Sequence, residues 1–164
     1  MIKFAVDYDG PIAVRYPRGE AYTGLKEFRA PICLGKSEVI HEGSRVALLA
    51  VGSMVKMAEE VQKQLKERMD MDAALVNARF VKPIDTYELV VTLEENVKDG
   101  GFGERVLAFA EEEDLPFGVE IIALPDRFIP HGSVSYQMKQ VGFTPEDICG
   151  RIEEYYRKRG QEER

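Results

Sequence analysis

Arg45-Val46-Ala47-Leu48-Leu49-Ala50-Val51, followed by Gly52-Ser53 and then by Met54, Met57, Ala58, Val61 and Leu65, decides the fold. The first seven residues form an almost wholly apolar run without alternation, the pattern of a strand buried on both faces. The next five recur at helical spacing and predict an amphipathic helix to about residue 68. A two-sided strand feeding such a helix is the repeating unit of an α/β domain, with helices covering both faces of a largely parallel sheet. The pattern returns downstream. Residues 73–78, 89–93 and 118–123 predict strands, and 101–112 predicts a helix. Ser133 predicts a capped helix to residue 140. Thr144-Pro145-Glu146-Asp147 opens a last helix with a cap and a proline in the first turn, and that helix buries Ile148, Ile152 and Tyr155. The fold class expected is therefore a three-layer αβα domain with a mostly parallel sheet.

Outward from this core the signal weakens. Residues 1–8 read as the end of a helix, stopped by Asp9-Gly10-Pro11. Residues 12–16 read as a short strand ended by Pro17 and Gly19. Residues 20–43 show no sustained periodicity, with short extended pieces at Pro31-Ile32 and 37–40. The division expected is 1–19 as the end of a preceding domain, 20–36 as a linker, 37–160 as the αβα domain and 161–164 as a tail. A lone strand is not stable by itself. The strand at 12–16 must pair with a sheet outside this chain or dock on this one. One connection is anomalous: only residues 79–88, including Lys82-Pro83, separate two strands, whereas a parallel crossover needs a dozen or more. Either these strands are not a standard parallel pair, or residues are missing between Glu88 and Leu89.

Composition excludes several functions. The chain has 164 residues, 45% hydrophobic and 31% charged, with a net charge of −7. That balance belongs to a folded domain. An acidic surface repels nucleic-acid phosphates and anionic membranes. No apolar run approaches the roughly 20 residues of a membrane helix, and no secretory-signal pattern precedes Asp7 and Asp9. Cys33 and Cys149 lie far apart, without metal-ligand spacing. A reducing cytoplasm is the expected location.

Several motifs invite chemistry. Gly100-Gly101-Phe102-Gly103 opens a helix after a strand, but it does not match the dinucleotide fingerprint, and Glu94, Glu95 and Asp99 surround it. Close backbone packing or a subunit contact suits these glycines better than a phosphate. Glu94 and Glu95 are adjacent at a strand end and point to opposite faces, so they cannot work as an acid/base pair; solvated or interface carboxylates are expected. Asp126, His131 and Ser133 lack a nucleophile elbow and an oxyanion hole, so His131 is expected to order its turn. Ser53 stands where an α/β sheet often binds ligands, and an ordinary helix cap is expected there. Arg15-Tyr16-Pro17-Arg18-Gly19 can present a guanidinium to a phosphate or carboxylate, or simply end a strand.

These blocks, in this order, resemble one family. Asp9-Gly10-Pro11-Ile12-Ala13-Val14-Arg15-Tyr16-Pro17-Arg18-Gly19 is similar to the end of the pyrimidine-binding domain of the 1-deoxy-D-xylulose-5-phosphate synthases. Asn77-Ala78-Arg79-Phe80-Val81-Lys82-Pro83-Ile84-Asp85 resembles a strand and turn of their C-terminal domain. Val91-Thr92-Leu93-Glu94-Glu95-Asn96-Val97 with the glycine loop, and Leu124-Pro125-Asp126-Arg127-Phe128-Ile129-Pro130-His131-Gly132-Ser133, complete the set. Transketolase and the beta subunits of 2-oxo-acid dehydrogenases share the fold, but the Arg-Tyr-Pro-Arg-Gly and Pro-His-Gly-Ser blocks favour the synthases. The resemblance implies the C-terminal part of a thiamine-diphosphate- and magnesium-dependent homodimer. Such an enzyme joins pyruvate to glyceraldehyde 3-phosphate with loss of CO2. Arg18 matches the arginine that the family uses on the acceptor's phosphate. The family's diphosphate-metal motif and catalytic glutamate have no counterpart here, so no catalytic, cofactor-binding or metal-binding residue is assigned, and the chain alone is expected to be inactive. The family also has a helix after the Lys-Pro-Ile-Asp turn that this chain lacks. The alternatives are a stand-alone small-anion-binding or regulatory domain, or the C-terminal domain of another transketolase-family enzyme.

Overall fold

The computed structural model of the chain describes residues 2–12, 14, 22–28, 30–34, 36–79 and 87–162. Its elements run α1 (Ile2–Asp7), β1 (Glu38–His41), β2 (Val46–Ala50), α2 (Met54–Met69), β3 (Ala74–Asn77), β4 (Leu89–Val97), α3 (Phe102–Glu112), β5 (Gly118–Leu124), α4 (Val134–Gln140) and α5 (Pro145–Glu162). The five strands form one sheet in the order β1-β3-β2-β4-β5. Only β1 is antiparallel to its neighbour; β3, β2, β4 and β5 are parallel.

Every residue of β2 is buried, and the pleat sends alternate side chains to opposite layers. Val46, Leu48 and Ala50 join Leu75, Leu89, Val91 and Leu93 under α2 and α5. Ala47 and Leu49 turn the other way, with Ala74, Val76 and Val90, against Val106 and Ala110 of α3. Burying each large aliphatic side chain contributes about 1.5–3 kcal/mol, so the two-sided central strands hold the layers together. Cys149 is fully buried in α5, its thiol donating to the Val61 carbonyl at 3.6 Å, and burial pushes that thiol up to about 11. Cys33 is exposed.

β3 and β4 are not hydrogen-bonded neighbours: they flank β2, each parallel to it. Their connection is therefore still a parallel crossover, one that spans β2, and it is short for that task. Residues 80–86 of the connection lie outside the described residues. So do Ala13, Arg15 and Tyr16, which carry most of the strand expected at 12–16.

The stretch without periodicity is docked on the domain. The Tyr22 hydroxyl donates to Glu59 of α2. Leu25 and Phe28 pack against the core under α2 and α5, and the Phe28 ring meets His41 of β1 edge-on at 5.7 Å. β4 also runs four residues further than predicted, through Glu94 and Glu95 to Val97. Among the described residues no helix is long and apolar enough to cross a membrane.

Candidate functional site

In an open α/β sheet, ligands favour the crevice beyond the strands' C-terminal ends, where the chain reverses its direction of winding. Here that point lies between β2 and β4: α2 leads from β2 to β3 on one side, and α3 leads from β4 to β5 on the other. Ser53 and Glu95 meet there, with the serine hydroxyl donating to the Glu95 carboxylate. The Val51 amide donates to the Leu93 carbonyl at 3.1 Å just below. These bonds stitch the crevice together. Ser53 occupies the N-cap position of α2, but its side chain makes no capping bond. The ordinary cap expected there is corrected: the hydroxyl serves Glu95 instead.

The glycine loop is used entirely within the fold. Glu94 is 3% exposed, and its two carboxylate oxygens accept the amides of Phe102 and Gly103, each at 2.8 Å. Glu104 turns back to accept the Gly100 amide at 2.7 Å. The N-terminus of α3, with its unpaired donors and positive dipole end, is thus occupied by carboxylates of the chain itself, which leaves an unfavourable place for a phosphate. This corrects the expectation that Glu94 is solvated or at an interface. A Cβ on Gly101 would lie 2.7 Å from the Val97 carbonyl oxygen, and one on Gly103 would lie 2.5 Å from Ile121 Cγ2. Close packing is what these glycines permit. Glu94 and Glu95 do face opposite layers, one toward α3 and the other toward the start of α2.

Asp126, His131 and Ser133 are all exposed, and no hydrogen bond or ion pair among the described residues joins them. The Ser133 hydroxyl accepts the Tyr136 amide at 3.3 Å and lies 3.1 Å from Ser135 Oγ. Gln137 Nε2 donates to the Pro130 carbonyl at 3.0 Å. The turn is ordered by Ser133 and Gln137 rather than by His131. Around it Phe128, Val134 and Tyr136 are each exposed.

Beside β5 a cavity of about 460 Å³ is lined by Lys98, Arg127, Arg151 and apolar side chains. Arg151 is committed to Glu120 at 2.6 Å and to the Ile121 carbonyl at 3.1 Å. Among the described residues no carboxylate lines this cavity, and its charged lining is cationic. Among the described residues no cluster of three His, Cys, Asp or Glu side chains can hold a metal ion. Arg18, Arg15 and Tyr16 lie outside the described residues.

Residues 35–148 match the family described as "Transketolase, C-terminal domain". The chain is 40% identical to a 1-deoxy-D-xylulose-5-phosphate synthase of Lachnoclostridium phytofermentans, over 93% of this chain and 26% of that protein. It is 36% identical to the enzyme of that name from Alkaliphilus oremlandii, over 95% and 26%. It therefore spans about a quarter of the length of these curated relatives. The first alignment covers 163 positions although only 93% of this chain's 164 residues enter it, which leaves about ten positions that this chain lacks. Among solved structures, a split gene transketolase described as an inactive beta4 tetramer superposes with a TM-score of 0.76 at 27% identity, over 93% of this chain and 52% of that one. A transketolase mutant from Pichia stipitis shares the fold, with a TM-score of 0.51 at 17% identity over 73% and 18%. Matched over more than two thirds of its length by one domain family, whose fold its sheet shares, the chain belongs to the transketolase C-terminal domain family.

Proposed function

We propose that this chain is the C-terminal part of a thiamine-diphosphate- and magnesium-dependent 1-deoxy-D-xylulose-5-phosphate synthase, acting in the cytoplasm. The parent condenses pyruvate with D-glyceraldehyde 3-phosphate, releasing CO2. The observation that carries this reading is the 40% identity to a synthase across nearly the whole chain. In the parent, residues 37–160 serve as the supporting domain, residues 20–36 as the linker, and residues 1–19 as the end of the preceding domain. Arg18 binds the acceptor's phosphate, a task that suits a fixed fork of donors. The exposed Phe128, Val134 and Tyr136 support a subunit contact in a homodimer. The shortfall of about ten positions is assigned to the β3–β4 connection, where the chain is shorter than a helical crossover requires.

The cofactor belongs to the upstream part, so the chain supplied with thiamine diphosphate, magnesium and both substrates gives no 1-deoxy-D-xylulose 5-phosphate. Co-expression with the upstream three quarters of the Lachnoclostridium relative restores product, measured by chromatography and mass spectrometry. In that assembly Arg18→Ala raises the KM for glyceraldehyde 3-phosphate roughly tenfold or more, as expected for the loss of charge-assisted hydrogen bonds, and leaves the KM for pyruvate unchanged. Turnover by the chain alone, or an unchanged acceptor KM, overturns the reading.

A further inference from the structure

The linker carries a built feature that the family assignment does not call for. Arg79 stands two residues after the end of β3, and Glu38 begins the edge strand β1; they are 41 positions apart in sequence. Their side chains form an ion pair that is only 15% and 7% exposed. Both also hold the backbone of one residue, Ala30, on its two sides. Glu38 Oε1 accepts the Ala30 amide at 2.9 Å, and Arg79 Nη1 donates to the Ala30 carbonyl at 2.9 Å. A buried ion pair alone is weak evidence for stability, because desolvating both charges offsets much of their attraction. A pair that also grips the amide and the carbonyl of one residue of a connecting segment does something more specific: it fixes that residue against the sheet.

The rest of the segment follows this anchor. Tyr22 is tied to α2 through Glu59, and this bond raises the phenol to about 12. Leu25 and Phe28 add apolar contacts between the two polar ties. Ala30 itself is exposed, so burial of its own side chain does not hold it there.

We propose that Glu38 and Arg79 are positioning residues. They clasp Ala30 and so set where the upstream part of the protein stands relative to this sheet. The proposal rests on the reading above insofar as the upstream part completes an active site. The clasp then acts on acceptor binding through the segment that it holds, without touching the substrate.

Two arms test the clasp. In the chain by itself, amide hydrogen exchange followed by NMR reads Ala30. Glu38→Ala speeds that amide at least about tenfold, the fold-change of losing one such hydrogen bond to a charged group. Glu38→Gln, whose side-chain oxygen still accepts the amide, leaves it within about threefold. Amides in the middle of β2 and β4 keep their wild-type rates in both variants. In the co-expressed assembly, Glu38→Ala and Arg79→Ala raise the KM for glyceraldehyde 3-phosphate several-fold with little change in kcat, and Glu38→Gln restores it. An unchanged Ala30 rate overturns the proposal, and so does equal acceleration throughout the sheet, which would make the pair a plain structural support. An unchanged KM in an active assembly overturns the positioning role. If the wild-type assembly makes no product, the synthase reading fails, while the exchange arm still decides whether the clasp exists.

Discussion

Replacing Glu94 by alanine is expected to destabilise the domain by about 3–4 kcal/mol. The carboxylate receives two amides at the start of α3, both at 2.8 Å, in a position 3% exposed. Removing it strands two buried donors, and each unsatisfied group costs about 1–3 kcal/mol. It also deletes a negative charge from the positive end of an 11-residue helix, a further few tenths to about 1 kcal/mol. Water cannot readily take its place, because Gly101 and Gly103 are themselves buried there. Glu94→Gln separates the two contributions. It keeps one acceptor oxygen but turns an amino group toward the second donor, so roughly half the loss is expected. Urea denaturation followed by circular dichroism reads both variants. With a slope of about 1–3 kcal/mol/M for a small domain, the alanine midpoint falls by more than about 1 M. A midpoint within about 0.3 M of wild type would mean that Glu94 does not hold α3.

Why this carboxylate was hidden in the sequence is a physical matter. Its neighbours made it look like part of a solvated acidic cluster, and at the end of an apolar run the strand itself looked finished at Leu93. The continuation to Val97 depends on partners from other elements: α3 takes Glu94, and Ser53 at the start of α2 takes Glu95. The central strands needed no such help. Val46 to Ala50 read as a strand buried on both faces because no polar side chain interrupts them, and both layers are indeed apolar. The helix starts at Ser133 and Thr144 were also legible, because a cap is a local bond: Tyr136 N to Ser133 Oγ, and Asp147 N to Thr144 Oγ1 at 3.2 Å. Strand order was not legible, since nothing local says that β3 and β4 flank β2. The docking of Tyr22, Leu25 and Phe28 was invisible for the same reason. Their spacing follows the contour of α2 and β1 and has no period of its own. The clasp joins residues 41 positions apart and leaves no local trace.

A glycine of the same loop and one in α5 permit a second test, in which one substitution type gives opposite signs at two sites. Gly103→Ala is expected to cost about 1–3 kcal/mol, the usual range for overpacking a filled site. An added Cβ would stand 2.5 Å from Ile121 Cγ2 and 2.6 Å from Thr92 Oγ1, both inside any tolerable contact. Thr92 is fully buried in the central strand β4. Ile121 is half-buried on β5, the edge strand, and is the neighbour that can yield. Gly150, within α5, has nothing within 4 Å of its Cβ position. Gly150→Ala should therefore stabilise by about 0.5–1 kcal/mol, the helix-propensity difference alone. Since that propensity gain applies at Gly103 too, a net loss there isolates the clash. Shortening the neighbour should recover part of it: in a double-mutant cycle, Ile121→Ala and Gly103→Ala should couple favourably by about 1 kcal/mol. Independent, additive losses would show that Ile121 is not what excludes the methyl group. A stabilising Gly103→Ala would show that the loop has space for a side chain and that its glycines are not there for close packing.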